Sequence, residues 1–114
     1  MSVIKPLRWL GDSRDRVSDF PSDARQRTGF ELWEVQQGHA PLDWKPMPSV
    51  GLGVSEIRVH AHGEYRVLYI AKFSEAVYVL HAFGKKTQQT PRRDIELAKE
   101  RFRQLVTYRK QERR

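Results

Sequence analysis

Four basic residues in the middle of the chain could act together on a phosphate group. Arg58 lies on the charged side of an alternating segment, Arg66 opens the next apolar segment, and Lys85-Lys86 follow the third. Cleaving RNA without a metal requires help for the attacking 2′-hydroxyl, cations beside the phosphoryl oxygens and an acid for the leaving oxygen. Arginine and lysine supply the positive charge directly. These residues are therefore candidates for phosphoryl chemistry.

Each arginine also has a structural interpretation that spacing alone leaves open. Arg58 could form a cross-strand ion pair with Glu56 or Glu64. Arg66 could be a half-buried guanidinium that bridges carbonyl groups. Because neighbouring antiparallel strands lie only about 5 Å apart, both interpretations are compatible with a converging cluster of cations.

The four histidines are weaker candidates for catalysis or metal binding than the four basic residues. His81 lies inside an apolar segment, where alternation predicts that it shares a face with Val79 and Phe83. This spacing favours a partly buried, hydrogen-bonded imidazole, although an exposed one near Lys85 could serve as acid or base. His60 and His62 would share a strand face, but the sequence indicates no third ligand, so we predict neither a metal site nor a cofactor.

Composition excludes several other classes of function. With no cysteine, the chain has no disulfide, no thiolate nucleophile and no cysteine-based metal site. No apolar run is longer than the one from Val67 to Ala71, which is far shorter than the roughly 20 residues of a membrane helix. The first residues lack the apolar stretch of a secretory signal. We expect a cytoplasmic protein with no membrane contact, folded as one domain over residues 1–114.

The excess of positive charge lies at one end of the sequence. Lysine and arginine total 21 against 14 acidic residues, yet residues 1–83 are balanced and the whole excess falls in 84–114. Such a cluster attracts polyanions, and nucleic acid is the usual partner. The alternative is a solvated helix with a basic tail.

The first half of the chain predicts a short strand and two helices. Apolar residues from Ile4 to Leu10 favour a strand, and a short helix can begin at Asp12 or Ser13. Pro21 interrupts it and suits the first turn of a second helix that ends near Gly38. The apolar positions of this second helix follow helical spacing, at Ala24, Thr28, Leu32 and Val35. Residues 39–53, rich in proline and glycine, predict a loop.

The second half predicts a sheet followed by a helix. Residues 55–61, 65–73 and 76–83 have the composition of three antiparallel strands joined by short turns. Thr90-Pro91 favours a helix start, with Thr90 as the cap, and an apolar stripe from Ile95 to Leu105 should pack on the sheet. Residues 109–114 predict a frayed basic tail. The expected fold class is α+β, with a short N-terminal strand plus a three-strand meander, an N-terminal helical hairpin and a C-terminal helix.

Three runs carry a family resemblance. They are Val54-Ser-Glu-Ile-Arg-Val, Glu64-Tyr-Arg-Val-Leu-Tyr, and Val77-Tyr-Val-Leu-His-Ala-Phe-Gly-Lys-Lys-Thr-Gln-Gln-Thr-Pro. Together they resemble the RelE/ParE toxin superfamily, and within it the phage-derived HigB-like branch. The resemblance implies a small twisted antiparallel sheet and a toxin of a type II toxin–antitoxin pair. That toxin would be a ribosome-dependent, metal-independent mRNA endonuclease that inhibits translation, with a helix-turn-helix antitoxin as partner.

The resemblance also assigns residues. Arg58, Arg66 and Lys86, with Lys85 beside it, match phosphate-stabilising and catalytic positions of RelE-like toxins. Glu56 stands where such enzymes place a proton-transferring lysine, so Glu56, His81 or a loop residue could serve as the base. Arg92 stands where they carry a stacking tyrosine. Candidate RNA-binding residues are Tyr65, His60, Arg92 and Arg93. The alternatives are a ParE-like gyrase-binding toxin without nuclease activity and a degenerate relative that only binds RNA.

Overall fold

The computed structural model describes residues 3–86 and 89–112, which form a mixed α+β fold with a central sheet between two helical layers. The expected fold class is confirmed. The elements in chain order are β1 (Leu7–Trp9), α1 (Ser13–Ser18), α2 (Ser22–Gln36), β2 (Trp44–Pro46), β3 (Val54–His60), β4 (Glu64–Ile70), β5 (Val77–Lys85) and α3 (Arg92–Glu112).

The sheet has the strand order β1-β5-β4-β3-β2. Strands β3, β4 and β5 form the antiparallel meander that the sequence predicts, and β2 joins its outer edge antiparallel to β3. Strand β1 differs, because it runs parallel to β5, with Leu7 opposite Val77. The N-terminal strand thus closes the sheet beside the last strand of the chain.

The helical hairpin covers one face of the sheet. Pro21 precedes the first residue of α2, as its fixed φ and missing N–H favour. The apolar stripe predicted for this helix is buried, with Ala24 and Leu32 at 0% and 1% exposure. Just after α2, Gly38 has a φ of 88°, a left-handed value that glycine adopts without strain.

The C-terminal helix covers the opposite face. Ala98 and Leu105 are buried against the sheet, and Ile95 and Phe102 pack beside them in the same apolar cluster. The 95–105 stripe therefore does what its helical spacing predicts. The carbonyl of Pro91 accepts the backbone N–H of Ile95 at 3.2 Å, which is the first turn of this helix.

Two sequence expectations differ from the structure at the edges of these elements. Residues 44–46, inside the predicted loop, form the short edge strand β2, with Trp44 opposite Ile57. The helix α3 extends through Glu112, so the expected fraying of residues 109–112 is wrong. Arg109 is held there by Glu75, with its Nε 2.7 Å from Oε2. Arg113 and Arg114 lie outside the described residues.

A bulge in β5 changes the direction of the residues that follow it. Leu68 pairs with His81 while Tyr69 pairs with Val79, so Leu80 is the extra residue. Val79 consequently belongs to the core under the helical hairpin, whereas His81 contacts α3. The prediction that His81 shares a face with Val79 was wrong for this reason.

Among the described residues, no helix has the length and apolar character that crossing a membrane requires.

Candidate functional site

The strand register brings three of the predicted cations to one face of the sheet. Arg58 and Arg66 are direct cross-strand partners, and Arg66 lies opposite Phe83 of β5. Lys85 lies two residues beyond Phe83, opposite Glu64, and so projects from the same face as Arg66. This is the face that α3 covers, at the end of the sheet where that helix begins.

Glu56 lies between the two arginines. Its Oε1 is 3.6 Å from Nε of Arg58 and 3.6 Å from Nε of Arg66, and its side chain is 0% exposed. Its Oε2 accepts a 2.7 Å hydrogen bond from the Thr90 hydroxyl. The ion pair between Arg58 and Glu56 that spacing left open is therefore present, and Glu56 is the buried counter-ion of both arginines.

Exposure distinguishes the two guanidinium groups. The Arg66 side chain is 6% exposed, and it donates to its neighbour Tyr65 O at 3.0 Å and lies 3.1 Å from Glu64 Oε1. It is therefore more buried than the half-buried guanidinium that spacing left open, and it contacts one backbone carbonyl and the carboxylates of Glu56 and Glu64. The Arg58 side chain is 31% exposed, which leaves part of it open to a ligand.

Lys85 has an unusual electrostatic environment. Burial lowers the pKa of its ammonium group, and the nearby charge of Arg66 lowers this pKa further, while Glu56 opposes the shift. Lys45 of β2 and Arg58 also contribute to the lowering. A lysine whose pKa is lowered in this way is better able to exchange a proton near neutral pH than a solvated one.

Three further predicted residues surround this face. Lys86 is exposed directly after β5, and Arg92 and Arg93 are exposed at the start of α3. The hydrogen bond between Thr90 and Glu56 fixes the beginning of α3 next to the arginines. The charge of this helix end is therefore added to that of the sheet.

His60 lies on the same face, at the far end of β3. Its Nε2 is 2.7 Å from Asp43 and its Nδ1 is 2.7 Å from Glu64. Hydrogen bonding to Asp43, followed by that to Glu64, raises the pKa of His60. His62 is directed elsewhere, 3.6 Å from Asp23. Within the ranges 3–86 and 89–112, no three acidic or histidine side chains form a group that could hold a metal ion.

Two predicted residues lie apart from this site. Tyr65 is on the opposite face, where its ring packs 4.8 Å from that of Phe20. His81 is fully buried under α3, with Nε2 2.7 Å from Asp94 and Nδ1 3.4 Å from Arg101. Burial lowers the pKa of His81. The structure therefore supports the buried, hydrogen-bonded interpretation of His81 and does not place this imidazole at the cluster.

Sequence reasoning did not include Lys45 or Thr90 in the site. Lys45 lies directly opposite Glu56 in the pairing of β2 with β3. A three-residue strand ending in proline has no alternation that could reveal it. Thr90 was expected to cap α3, whereas its hydroxyl donates to Glu56. Only the long-range contact reveals that role. We define the basic cluster as Lys45, Arg58, Arg66 and Lys85.

Comparison with known proteins adds the family. No curated protein matches the chain. The family model described as phage derived protein Gp49-like (DUF891) matches residues 15–103. This match includes most of α1, all of α2, the strands β2 to β5 that carry the basic cluster, and the first half of α3. Because the match covers most of the chain, the protein belongs to the phage-derived Gp49-like family.

Proposed function

We propose that this protein is the toxin of a type II toxin–antitoxin pair and that it cleaves mRNA on the ribosome without a metal ion. The observation that carries the proposal is the convergence of Arg58, Arg66 and Lys85 on one sheet face around Glu56. Membership of the phage-derived Gp49-like family, which is associated with such toxins, supports it.

Apart from a proton from solvent, the chemistry uses groups that the chain supplies. The 2′-hydroxyl loses its proton, O2′ bonds to phosphorus, and the bond from phosphorus to O5′ breaks. The products are a 2′,3′-cyclic phosphate and, after protonation by solvent, a 5′-hydroxyl. Lys85 accepts the proton of the 2′-hydroxyl, because its lowered pKa makes the neutral amine accessible.

The two arginines have different tasks in this mechanism. Arg58, with its side chain 31% exposed, neutralises charge that develops on the phosphoryl oxygens. Arg66 is 6% exposed and acts as a positioning residue, since it holds Glu56 and Glu64 in place. Lys86, Arg92 and Arg93 extend the positive surface along which the RNA backbone binds.

The partners follow from this proposal. Ribosome-bound mRNA is the substrate, and a helix-turn-helix antitoxin neutralises the toxin in unstressed cells. The concentration of positive charge in residues 84–114 supports a polyanionic partner.

Mapping of mRNA 5′ ends in an inducible bacterial host tests the activity. Wild-type protein should produce new ends within translated messages. The variant carrying Arg58→Ala and Lys86→Ala should lose most of them, because removing preorganised charge typically costs about 100-fold or more in rate. Arg14→Ala, an exposed arginine on α1, is the matched control and should cleave as the wild type does.

Intact transcripts during growth arrest by the wild type would show that RNA cleavage is the wrong activity. Inhibition of purified DNA gyrase would then favour the ParE-like alternative. Toxicity that survives the loss of Arg58 and Lys86 points the same way.

A specific observation favours a second candidate, an RNA-binding protein without nuclease activity. Glu56 is fully buried and Arg66 nearly so, and both are held by ion pairs within the protein. A cluster that is engaged in this way can bind a phosphate through Arg58 without catalysing its cleavage. RNA binding by purified protein, with no cleavage on translating ribosomes, identifies this outcome.

A further inference from the structure

Lys45 is the member of the basic cluster that sequence reasoning did not include. It lies in the middle of β2, directly opposite Glu56, and so projects from the face that carries Arg58 and Arg66. Lys45 is partly exposed to solvent. The side chain is thus neither buried in the core nor fully solvated.

The ammonium group of Lys45 differs from the other cations in its contacts. Arg58 and Arg66 each share the carboxylate of Glu56, and Arg66 also contacts Glu64. The backbone of Lys45 pairs with Glu56 in the sheet, but its ammonium group has no hydrogen bond or ion pair with any other residue of ranges 3–86 and 89–112. Its charge is therefore not neutralised by a direct partner in this part of the chain.

The charge of Lys45 nevertheless acts electrostatically on another member of the basic cluster. It contributes to the lowering of the Lys85 pKa, although β2 and β5 are separated by two strands. The strand order places Lys45 of β2 on one side of Arg58 and Lys85 of β5 on the other, and the register puts all three on the same face of the sheet. A phosphodiester lying over Arg58 would have cations on both sides.

We propose that Lys45 is an RNA-contacting residue that donates a hydrogen bond to a phosphate oxygen of RNA bound across β2 to β5. This inference rests on the proposed function for the identity of the ligand. The carboxylates of Glu56 and Glu64 offset part of the charge of the two arginines, whereas Lys45 adds a positive charge that no direct ion pair offsets.

The inference is tested by measuring RNA affinity over a series of salt concentrations. The probe is a fluorescein-labelled single-stranded RNA with 2′-deoxy substitutions, which remove the hydroxyl needed for cleavage. Lys45→Ala should weaken binding roughly tenfold at low salt, as the loss of one charge-assisted hydrogen bond implies. The slope of log K against log salt should become shallower by about 0.7. Lys45→Arg should restore both values in part.

Lys72→Ala is the matched control. Lys72 is exposed beyond the opposite end of β4, where its ammonium lies over the Phe73 ring, and its removal changes net charge by the same amount. It should leave the slope near that of the wild type. Urea unfolding of each variant verifies that the fold is retained, and Lys45→Gln replaces the alanine variant if that one unfolds.

The outcomes separate the two proposals. An unchanged affinity and slope for folded Lys45→Ala overturns the role of Lys45, whatever the wild type cleaves. RNA binding that depends on Lys45, without cleavage by the wild type, retains the contact and rejects the nuclease. A wild type that binds no RNA overturns the Lys45 contact, and the mapping of mRNA 5′ ends then decides the nuclease independently.

Discussion

At the scale of single residues, Glu56 shows how the charges of this sheet are balanced. Its side chain has no solvent exposure, and its carboxylate lies 3.6 Å from two guanidinium nitrogens, so Glu56 and the two arginines form one buried ionic group. Removing one partner of a buried ion pair typically costs about 3–5 kcal/mol. Substitutions at Glu56 or Arg66 should therefore lower the stability of the fold, so a loss of activity in these variants does not by itself report on catalysis.

Glu75 supports a prediction about acid stability. The bidentate hydrogen bonds from Arg109 lower the pKa of Glu75 from 4.5 to about 2. Because the folded-state pKa is lowered, this contribution is complete above the unfolded value and is lost as pH falls through the folded one. The urea concentration at the unfolding midpoint of the wild type should therefore decrease as the pH is lowered from about 4.5 to about 2.

Glu75→Gln should have a lower urea midpoint than the wild type near neutral pH, and the difference should shrink toward about pH 2. Glu96→Gln serves as its control. The Glu96 carboxylate is exposed, and its contact with Lys99 is a surface ion pair at 3.8 Å, longer than a hydrogen bond. A constant difference between Glu75→Gln and wild type across this range would contradict the assignment.

At this scale, part of the site could be predicted from the sequence. Alternation placed Glu56 and Arg58 on one face, and the ion pair between them was among the stated alternatives. The position of His81 was not predictable, because the bulge at Leu80 reverses the direction of the following side chain. Periodicity assumes an unbroken strand and cannot reveal such an insertion.

At the scale of elements, two glycines predict opposite effects of an added methyl group. Gly29 lies within α2, and a Cβ built there meets no atom within 4 Å. Gly29→Ala should therefore raise the free energy of unfolding by about 0.5–1 kcal/mol, because alanine loses less backbone entropy in a helix. Urea unfolding measures the change.

Gly51→Ala is the companion variant. Its Cβ would lie 2.6 Å from Cδ2 of Phe102, where the loop before β3 contacts α3. The overlap should lower the free energy of unfolding by about 1–3 kcal/mol. An increase in the free energy of unfolding of this variant would contradict the prediction, because it would show that the Phe102 ring can shift to accept the methyl group without an energetic penalty.

Elements with strong local signals were predicted well. The hairpin follows from Pro21 and from the helical spacing of Ala24 to Val35, and both hold in the structure. Strand β2 was missed because its three residues, ending in Pro46, carry no repeat. Its pairing with β3 is a long-range interaction, and so is the parallel pairing of β1 with β5. Local composition does not encode such partners.

At the scale of the whole molecule, the position of the charge predicts salt-sensitive RNA binding. Arg92 and Arg93 are exposed at the end of α3 that begins beside the basic cluster. Replacing both with alanine should make the slope of log K against log salt shallower by up to about 1.4 for single-stranded RNA. Fluorescence anisotropy over a salt series provides the measurement.

A charge-matched double variant, Arg103→Ala with Lys110→Ala, tests whether location matters. Both side chains are exposed farther along α3, and Arg103 pairs with Glu100. This variant should keep a slope close to that of the wild type. Equal reductions in the two double variants would mean that the molecule binds RNA through net charge alone.

The parallel pairing of β1 with β5 has a consequence for the newly made chain. Residues 7–9 leave the ribosome early, yet their hydrogen-bonding partners are residues 77–79. Such distant pairings form slowly because a long loop must close first. A chain that terminates before Val77 lacks the strand joining β1 to β4, and it lacks Lys85 as well. If the protein is the toxin proposed above, chains truncated before Val77 should be harmless, and toxicity should require chains that extend beyond Lys85.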